Sequence, residues 1–202
     1  MPRRPVLLFA AFVLLLAAGI GSYAWMSRAL QGPQGSGIAL VGGPFTLLDQ
    51  DGRRVTEKDF LGKYMLVFFG YTYCPDVCPT ELQVMSAALD QLGAEAERIQ
   101  PVFVSIDPAR DTPEVLKAYV GNFNPRLLGL TGTPEEVAVM AKAYRVYYAK
   151  AGSNGSSTDY LMDHSSIIYL MGPDGRFVKH MAYTTDAAKL ASELQETLRA
   201  SP

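Results

Sequence analysis

Tyr64-Met65-Leu66-Val67-Phe68-Phe69-Gly70, followed by Tyr71-Thr72-Tyr73-Cys74-Pro75-Asp76-Val77-Cys78-Pro79-Thr80-Glu81-Leu82, is the stretch that decides the fold. Its first seven residues are an apolar run of strand length without polar alternation, which predicts a strand buried on both faces. From Pro79 to Leu92 the apolar residues Leu82, Met85, Leu89 and Leu92 recur at helical spacing, and Pro79 suits a first helical turn. A buried strand therefore runs into a helix through a loop that holds both cysteines of the chain.

Those two thiols, Cys74 and Cys78, rule out a multi-bridge disulfide framework. They form a reactive dithiol, a metal clamp or a small local disulfide. If the segment is helical, residues four apart face the same way, with β-carbons about 5–6 Å apart. Both sulfurs then meet one small ion or each other. The start of a helix lowers a thiol pKa and favours the thiolate that metal binding and exchange need. His164, in Tyr160-Leu161-Met162-Asp163-His164-Ser165-Ser166 just before a predicted strand, is the candidate third ligand. Two thiolates and an imidazole suit Cu(I), or Cu(II) with a water or carboxylate added. Zinc accepts the same set, but a structural zinc site calls for four protein ligands. Asp163 is a candidate fourth or outer group, and Asp76 reads as a solvated turn carboxylate. Tyr71 and Tyr73 are expected to wall the site. Met65, Met85 and Met140 fall on core periodicity, Met162 is left open, and His180 reads as a structural residue.

Working outward, Phe45 to Leu48 and Arg53 to Val55 flank Asp49-Gln50-Asp51-Gly52 as a hairpin. Pro101 to Ile106 reads as a second buried strand, Pro113 to Val120 as a helix, Leu127 to Leu130 as a short strand and Pro134 to Tyr144 as a further helix. Ser166 to Met171 and Arg176 to Met181 form a hairpin around Gly172-Pro173-Asp174-Gly175, and Asp186 to Leu198 is a closing helix. Ala149 to Thr158 has a loop's composition and predicts a mobile flap beside His164; Asn154-Gly155-Ser156 within it matches the glycosylation pattern. The order predicts an α/β fold, a thioredoxin-like mixed sheet flanked by helices.

Ahead of this domain, Val6 to Met26 is 21 residues without a charge. As a helix it spans roughly 31 Å, the thickness of a hydrocarbon layer. Arg3 and Arg4 before it predict the N-terminus inside and the domain outside the cytoplasm, on a single-pass bacterial inner-membrane anchor with a periplasmic domain. A cleaved signal peptide is the alternative, given the small residues around Ala17 to Ala24. The start of the span so near residue 1 leaves no room for a long organelle-targeting presequence. Residues 1–26 are thus read as anchor, 27–42 as a flexible linker containing Gln31-Gly32-Pro33-Gln34-Gly35-Ser36-Gly37, and 43–202 as the domain. Such a linker wanders roughly 20–25 Å. Without Arg3 and Arg4 the chain carries 16 basic against 20 acidic side chains, a balance that gives nucleic-acid binding no support.

Phe69 to Leu82, the stretch Val104-Ser105-Ile106-Asp107-Pro108-Ala109-Arg110-Asp111-Thr112-Pro113, and Asp163-His164-Ser165-Ser166 together resemble the SCO/SenC family of copper chaperones for cytochrome c oxidase. The resemblance runs from Gly42 to the last helix. It implies a thioredoxin-like fold, one membrane anchor via residues 6–26, and copper, Cu(I) or Cu(II), held by Cys74, Cys78 and His164. It implies delivery to the binuclear CuA centre of oxidase subunit II, with other periplasmic copper chaperones as further partners. Asp107 is a family signature that supports the site's architecture. The rival function is a thiol-disulfide oxidoreductase acting through Cys74 and Cys78 on the subunit or on a partner chaperone. The extra residue between the cysteines argues against a general oxidoreductase, whose motif is C-x-x-C.

Overall fold

A computed structural model describes residues 41–151, 160–183 and 186–200, with Gly19, Gly21 and Ser22 further upstream. The chain divides into two units, Met1–Ala39 and Leu40–Pro202, and the account below concerns the second. Among the described residues no helix is long and apolar enough to cross a membrane. The expected span Val6–Met26 lies outside the described residues apart from those three, and so do linker residues 27–40.

In chain order the elements are β1 (Thr46–Asp49), β2 (Arg54–Thr56), β3 (Tyr64–Gly70), α1 (Val77–Leu92), β4 (Ile99–Ser105), α2 (Pro113–Val120) and β5 (Leu128–Thr131). There follow α3 (Pro134–Ala143), β6 (Tyr148–Ala151), β7 (Leu161–His164), β8 (Ile167–Met171), β9 (Phe177–Ala182) and α4 (Ala187–Ala200). Seven strands form one sheet in the order β2-β1-β5-β4-β3-β8-β9. β3, β4 and β5 run parallel, whereas β8 and β1 join antiparallel at either side of that trio. Parallel neighbours need long crossovers, and α1 and α2 supply them. α1 packs against α4, and α2 against β5. This is the thioredoxin-like mixed sheet with helices that the strand and helix order predicted.

Every residue of β3 is buried, with Leu66, Val67, Phe68 and Phe69 wholly so. The strand has sheet neighbours on both sides, β4 from Tyr64↔Ile99 to Gly70↔Ser105 and β8 from Met65↔Met171 to Phe68↔Ile168. An unbroken apolar run is what such a position requires. β4 begins at Ile99, two residues before the expected start at Pro101. The proline is tolerated because β5 pairs with β4 only from Val102 onward, so one edge of β4 is open at Pro101.

The helix starts show why the third one differs. Thr112 accepts from the Val115 N–H at 3.4 Å, and Thr133 and Glu136 form a reciprocal capping box, each with a proline in the first turn. α1 begins at Val77 rather than Pro79, and Asp76 at its cap makes no side-chain cap bond. Pro79 then sits in the first turn, where its N–H would have no helical partner. Cys78 is inside the helix while Cys74 is in the turn before it, so the helical i, i+4 argument is not what unites the sulfurs.

Two expectations need correction around His164. Ala149, Lys150 and Ala151 belong to β6, which pairs antiparallel with β7 from Tyr148↔His164 to Ala151↔Leu161. His164 therefore ends a strand rather than occupying a loop, and the remainder of the expected flap, with Asn154-Gly155-Ser156, lies outside the described residues. The ribbon escaped notice because its polar residues carry no clean alternation; pairing, not propensity, makes it a strand.

Gly70 ends β3 with no room for a side chain: a β-carbon there would lie 2.8 Å from Cys78 Sγ and 2.8 Å from the Phe103 ring. Gly70→Ala is expected to lower unfolding free energy by about 1–3 kcal/mol, the usual range for overpacking, in urea titrations. An unchanged midpoint would mean that Cys78 and Phe103 move aside at no cost.

Candidate metal centre

The parallel strands β3 and β4 end together, and the chain beyond each makes the site, as expected where open α/β sheets build their crevices. Ile106 N–H donates to Gly70 O at 2.8 Å, extending the ladder one step past β4. From Gly70 the chain turns, with Cys74 N–H donating to Tyr71 O at 3.2 Å. The Cys78 N–H at the mouth of α1 then points at Cys74 Sγ, 3.4 Å away. The sulfur thus takes the place that Asp76 leaves vacant as helix cap. His164 arrives on β7, its Nε2 3.4 Å from Cys78 Sγ. One donor atom from each of Cys74, Cys78 and His164 lies within 4.8 Å of the others, and no disulfide joins the cysteines.

The two sulfurs are unequal. Cys78 is fully buried and Cys74 half-buried. Cys74 is held well below the ordinary thiol range, first by the Cys78 thiol donating to it, then by His164 and by the Asp76 and Cys78 backbone N–H groups. Cys78 moves the opposite way, because its proton serves Cys74 and burial disfavours its charge, although the Tyr71 backbone N–H partly offsets this. Cys74 is therefore the more acidic sulfur of the pair and Cys78 the less acidic. The His164 Nδ1 lies 3.2 Å from Ser165 O. A carbonyl only accepts, so this contact places a proton on Nδ1 and turns the Nε2 edge of the ring towards the sulfurs.

Aromatic rings close around the imidazole. Phe68 and Tyr71 meet it edge-on at 6.1 and 6.0 Å between centroids. Tyr71 is buried against the imidazole and walls the site, whereas Tyr73 is 59% exposed with its ring near Arg110. Asp76 is exposed, in keeping with a solvated carboxylate. Asp163 is exposed and follows strand alternation to the face opposite His164, which sets it apart from the three donors. Met162 is buried, Met65, Met85 and Met140 are in the core, and His180 stacks on Phe177 far along β9.

Sequence reasoning missed the residues that fasten the loop. Asp111 is fully buried; its carboxylate accepts from Thr72 N–H at 3.0 Å, Thr72 Oγ1 at 2.6 Å and Ser105 Oγ at 2.6 Å. The Thr72 bonds hold the loop two residues before Cys74. Asp107, already noted as a signature, pairs with Arg110 and accepts from the Tyr160 hydroxyl at 2.7 Å. The available signal was the density of acids and hydroxyls just beyond a buried strand, where each buried polar group needs a partner.

A thioredoxin-like domain with a dithiol beyond the end of β3 and a histidine brought beside it by a separate ribbon defines a class of metal- or electron-handling proteins. The chain belongs to the SCO1/SenC family, whose model matches residues 33–199. It is 45% identical over 170 residues to the mitochondrial protein SCO1 homolog 1 of Arabidopsis thaliana and 44% identical over 165 residues to the mitochondrial SCO1 homolog of Homo sapiens. These matches take in 84% and 81% of this chain but 50% and 54% of the relatives, so the chain spans about half their length. Among solved structures, Arabidopsis thaliana ScoI with copper bound is 44% identical with a TM-score of 0.74, covering 79% of this chain and 99% of that one. Bradyrhizobium japonicum ScoI with copper bound is 46% identical with a TM-score of 0.71, covering 77% and 98%. BsSco, described as a member of the Sco family of cytochrome c oxidase assembly proteins with a disulfide switch, is 26% identical with a TM-score of 0.61, covering 79% and 94%.

The inequality of the sulfurs has a direct readout in the reduced protein. Because the Cys74 pKa is lowered, its thiolate persists as pH falls, so its alkylation rate is expected to stay level from pH 8 to pH 5. A free thiol of pKa about 8.5 loses roughly tenfold per pH unit over that range. Mass-mapped iodoacetamide labelling should find Cys74 modified and Cys78 spared. A tenfold fall per unit at Cys74 would show an ordinary thiol.

Proposed function

We propose that the protein is a copper chaperone that holds one copper ion between the Cys74 and Cys78 sulfurs and the His164 Nε2 and delivers it to the binuclear CuA centre of cytochrome c oxidase subunit II. The observation that carries this reading is the mutual approach of three donor atoms to within 4.8 Å. Thiolate softness favours Cu(I) over hard cations, and the imidazole with an added water also accommodates Cu(II). With bond lengths near those of zinc, about 2.3 Å to sulfur and 2.0 Å to nitrogen, the S···N edge of a three- or four-coordinate site is roughly 3.5–3.8 Å. The 3.4 Å between Cys78 Sγ and His164 Nε2 is close to that edge, so little movement is needed to admit an ion.

The same asymmetry suits transfer. A ligand of the acceptor approaches from the side of half-exposed Cys74, while buried Cys78 keeps its hold until the incoming ligand is bound. Three protein ligands leave a position for that exchange, which a closed four-ligand site does not. In this reading Val6–Met26 is a retained single-pass anchor in a bacterial inner membrane, residues 27–42 a tether and residues 43–202 a periplasmic domain. Other periplasmic copper chaperones are then natural donors to the site.

A second reading has an observation of its own, the exposed thiolate beside a buried thiol. As a thiol-disulfide oxidoreductase, Cys74 attacks a disulfide in the oxidase subunit or a partner chaperone and forms a mixed disulfide, releasing one partner thiolate. Cys78 then closes the Cys74–Cys78 disulfide and releases the second, so the partner gains the two electrons that this pair loses. This route does not use His164.

His164→Ala separates the two. The wild-type reduced domain is expected to bind one copper per chain, with thiolate-to-Cu(II) absorption bands, and His164→Ala to lose the bands and at least tenfold in affinity. If His164→Ala binds copper unchanged, the three-ligand site is wrong. If it restores oxidase assembly in cells while both cysteine variants fail, the oxidoreductase reading takes its place.

A further inference from the structure

The histidine half of the site is not part of the main sheet. β6 and β7 form a two-stranded sheet of their own; the ladder that fixes β3, and through it the cysteine loop, reaches β8, which begins at Ile167, three residues past His164, and holds only that end of the ribbon. The far end of β7 begins beside Tyr160, which is buried and lies against the turn after β4. There Arg110 gathers three parts of the protein. Its Nε pairs with Asp107, and its guanidinium donates to Tyr160 O at 2.9 Å and lies 3.7 Å from the Tyr160 ring centroid. The guanidinium is also 4.6 Å from the Tyr73 ring centroid and 5.8 Å from that of Tyr71, the residues flanking Thr72 just before Cys74. The Tyr160 hydroxyl completes the ring of contacts on Asp107.

We infer that Arg110 is a positioning residue for the site: by bracing the start of β7 against the cysteine loop it sets the distance between His164 and the two sulfurs. This rests on the proposed copper site, and it assigns a role to a residue that touches none of the ligand atoms. Arg110 fits the task physically. A planar guanidinium stacks on an aromatic face while its edge makes directed hydrogen bonds, which lysine cannot do together. The side chain is only 14% exposed, so these contacts are screened far less than a surface pair. The adjacent Asp111 serves the other half, holding Thr72 and hence Cys74. One turn without a metal ligand thus places both halves by separate residues.

The test compares Arg110→Gln, Arg110→Lys and Asp111→Asn with the wild type, using the full chain. In the metal-free reduced protein, NMR cross-relaxation between the His164 ring and the Tyr71 and Phe68 rings reads the position of the histidine directly. Those contacts are expected to vanish in Arg110→Gln and to weaken in Arg110→Lys, while the contact to Phe68, which lies on β3 outside the loop that Asp111 holds, persists in Asp111→Asn. With Cu(I) supplied alone and then removed by a competing chelator, Arg110→Gln is expected to release copper at least tenfold faster than wild type, with Arg110→Lys between them. Loss of nitrogen hyperfine splitting in the Cu(II) form of Arg110→Gln would accompany this. Intact ring contacts together with release within twofold of wild type would overturn the inference. If the wild type itself takes no copper, the proposed function fails, and the ring contacts of the metal-free protein still decide the role of Arg110. Should Arg110→Gln lose cooperative unfolding, Tyr160→Phe carries the comparison, since it removes only the hydroxyl bond to Asp107. Weakened ring contacts are expected there, and unchanged contacts in both Tyr160→Phe and Arg110→Lys would refute the brace.

Discussion

At the mouth of α1 the Cys78 N–H points at the sulfur of Cys74. α2 and α3 begin on a threonine oxygen and α4 on the Asp186 carboxylate; this one begins on a sulfur, because Asp76 leaves the place unfilled. The consequences spread from that contact. The Cys78 thiol donating to Cys74 lowers the Cys74 pKa most, and the backbone N–H groups at the helix start lower it further. The loop is drawn tight enough that Cys78 lies against Gly70, where no side chain fits. The end of β3, the start of α1 and the ionisation of the dithiol are therefore one problem with one solution.

Holding such a loop requires buried polar groups, which are costly unless satisfied. Asp111 meets that cost with three donors from Thr72 and Ser105, and Thr131 Oγ1 donates to its carbonyl at 2.8 Å. Burial raises the pKa of Asp111, and the three donors oppose that rise. A side chain with this many partners accepts one geometry, so it specifies the loop as much as it stabilises it. The hydrogen bonds of Asp111 fix the loop at Thr72, beside the buried Tyr71 and two residues before Cys74.

The histidine half follows a different logic. Its ribbon pairs only with itself; one end is tied to β3 through β8, which begins three residues after His164, and the other reaches the cysteine loop through rings and one guanidinium. Contacts of that kind are individually weaker and more easily rearranged than a seven-stranded sheet. For a protein proposed to accept an ion and then give it up, a rigid dithiol beside a more loosely tied imidazole is a useful division.

The strands β3 and β4, the helices after them and the closing hairpin and helix were legible from the sequence, because burial on two faces demands continuous apolar runs and helical burial demands its own period. Cys74, Cys78 and His164 were legible as reactive types, and their neighbouring motifs pointed to a family. The main errors have a common cause. The ribbon β6–β7 and the fastening by Arg110 and Asp111 depend on partners distant in the chain, 39 residues away for Thr72 and Asp111 and 50 for Arg110 and Tyr160, while the start of α1 at Val77 rests on a nearby sulfur acceptor whose direction only the folded loop sets. Local pattern records which faces must be buried; it holds no record of which polar groups will satisfy one another. Residue chemistry and core pattern were thus determined by the sequence itself, while the ionisation of the dithiol and the approach of His164 were decided only when β3, β4 and the ribbon met.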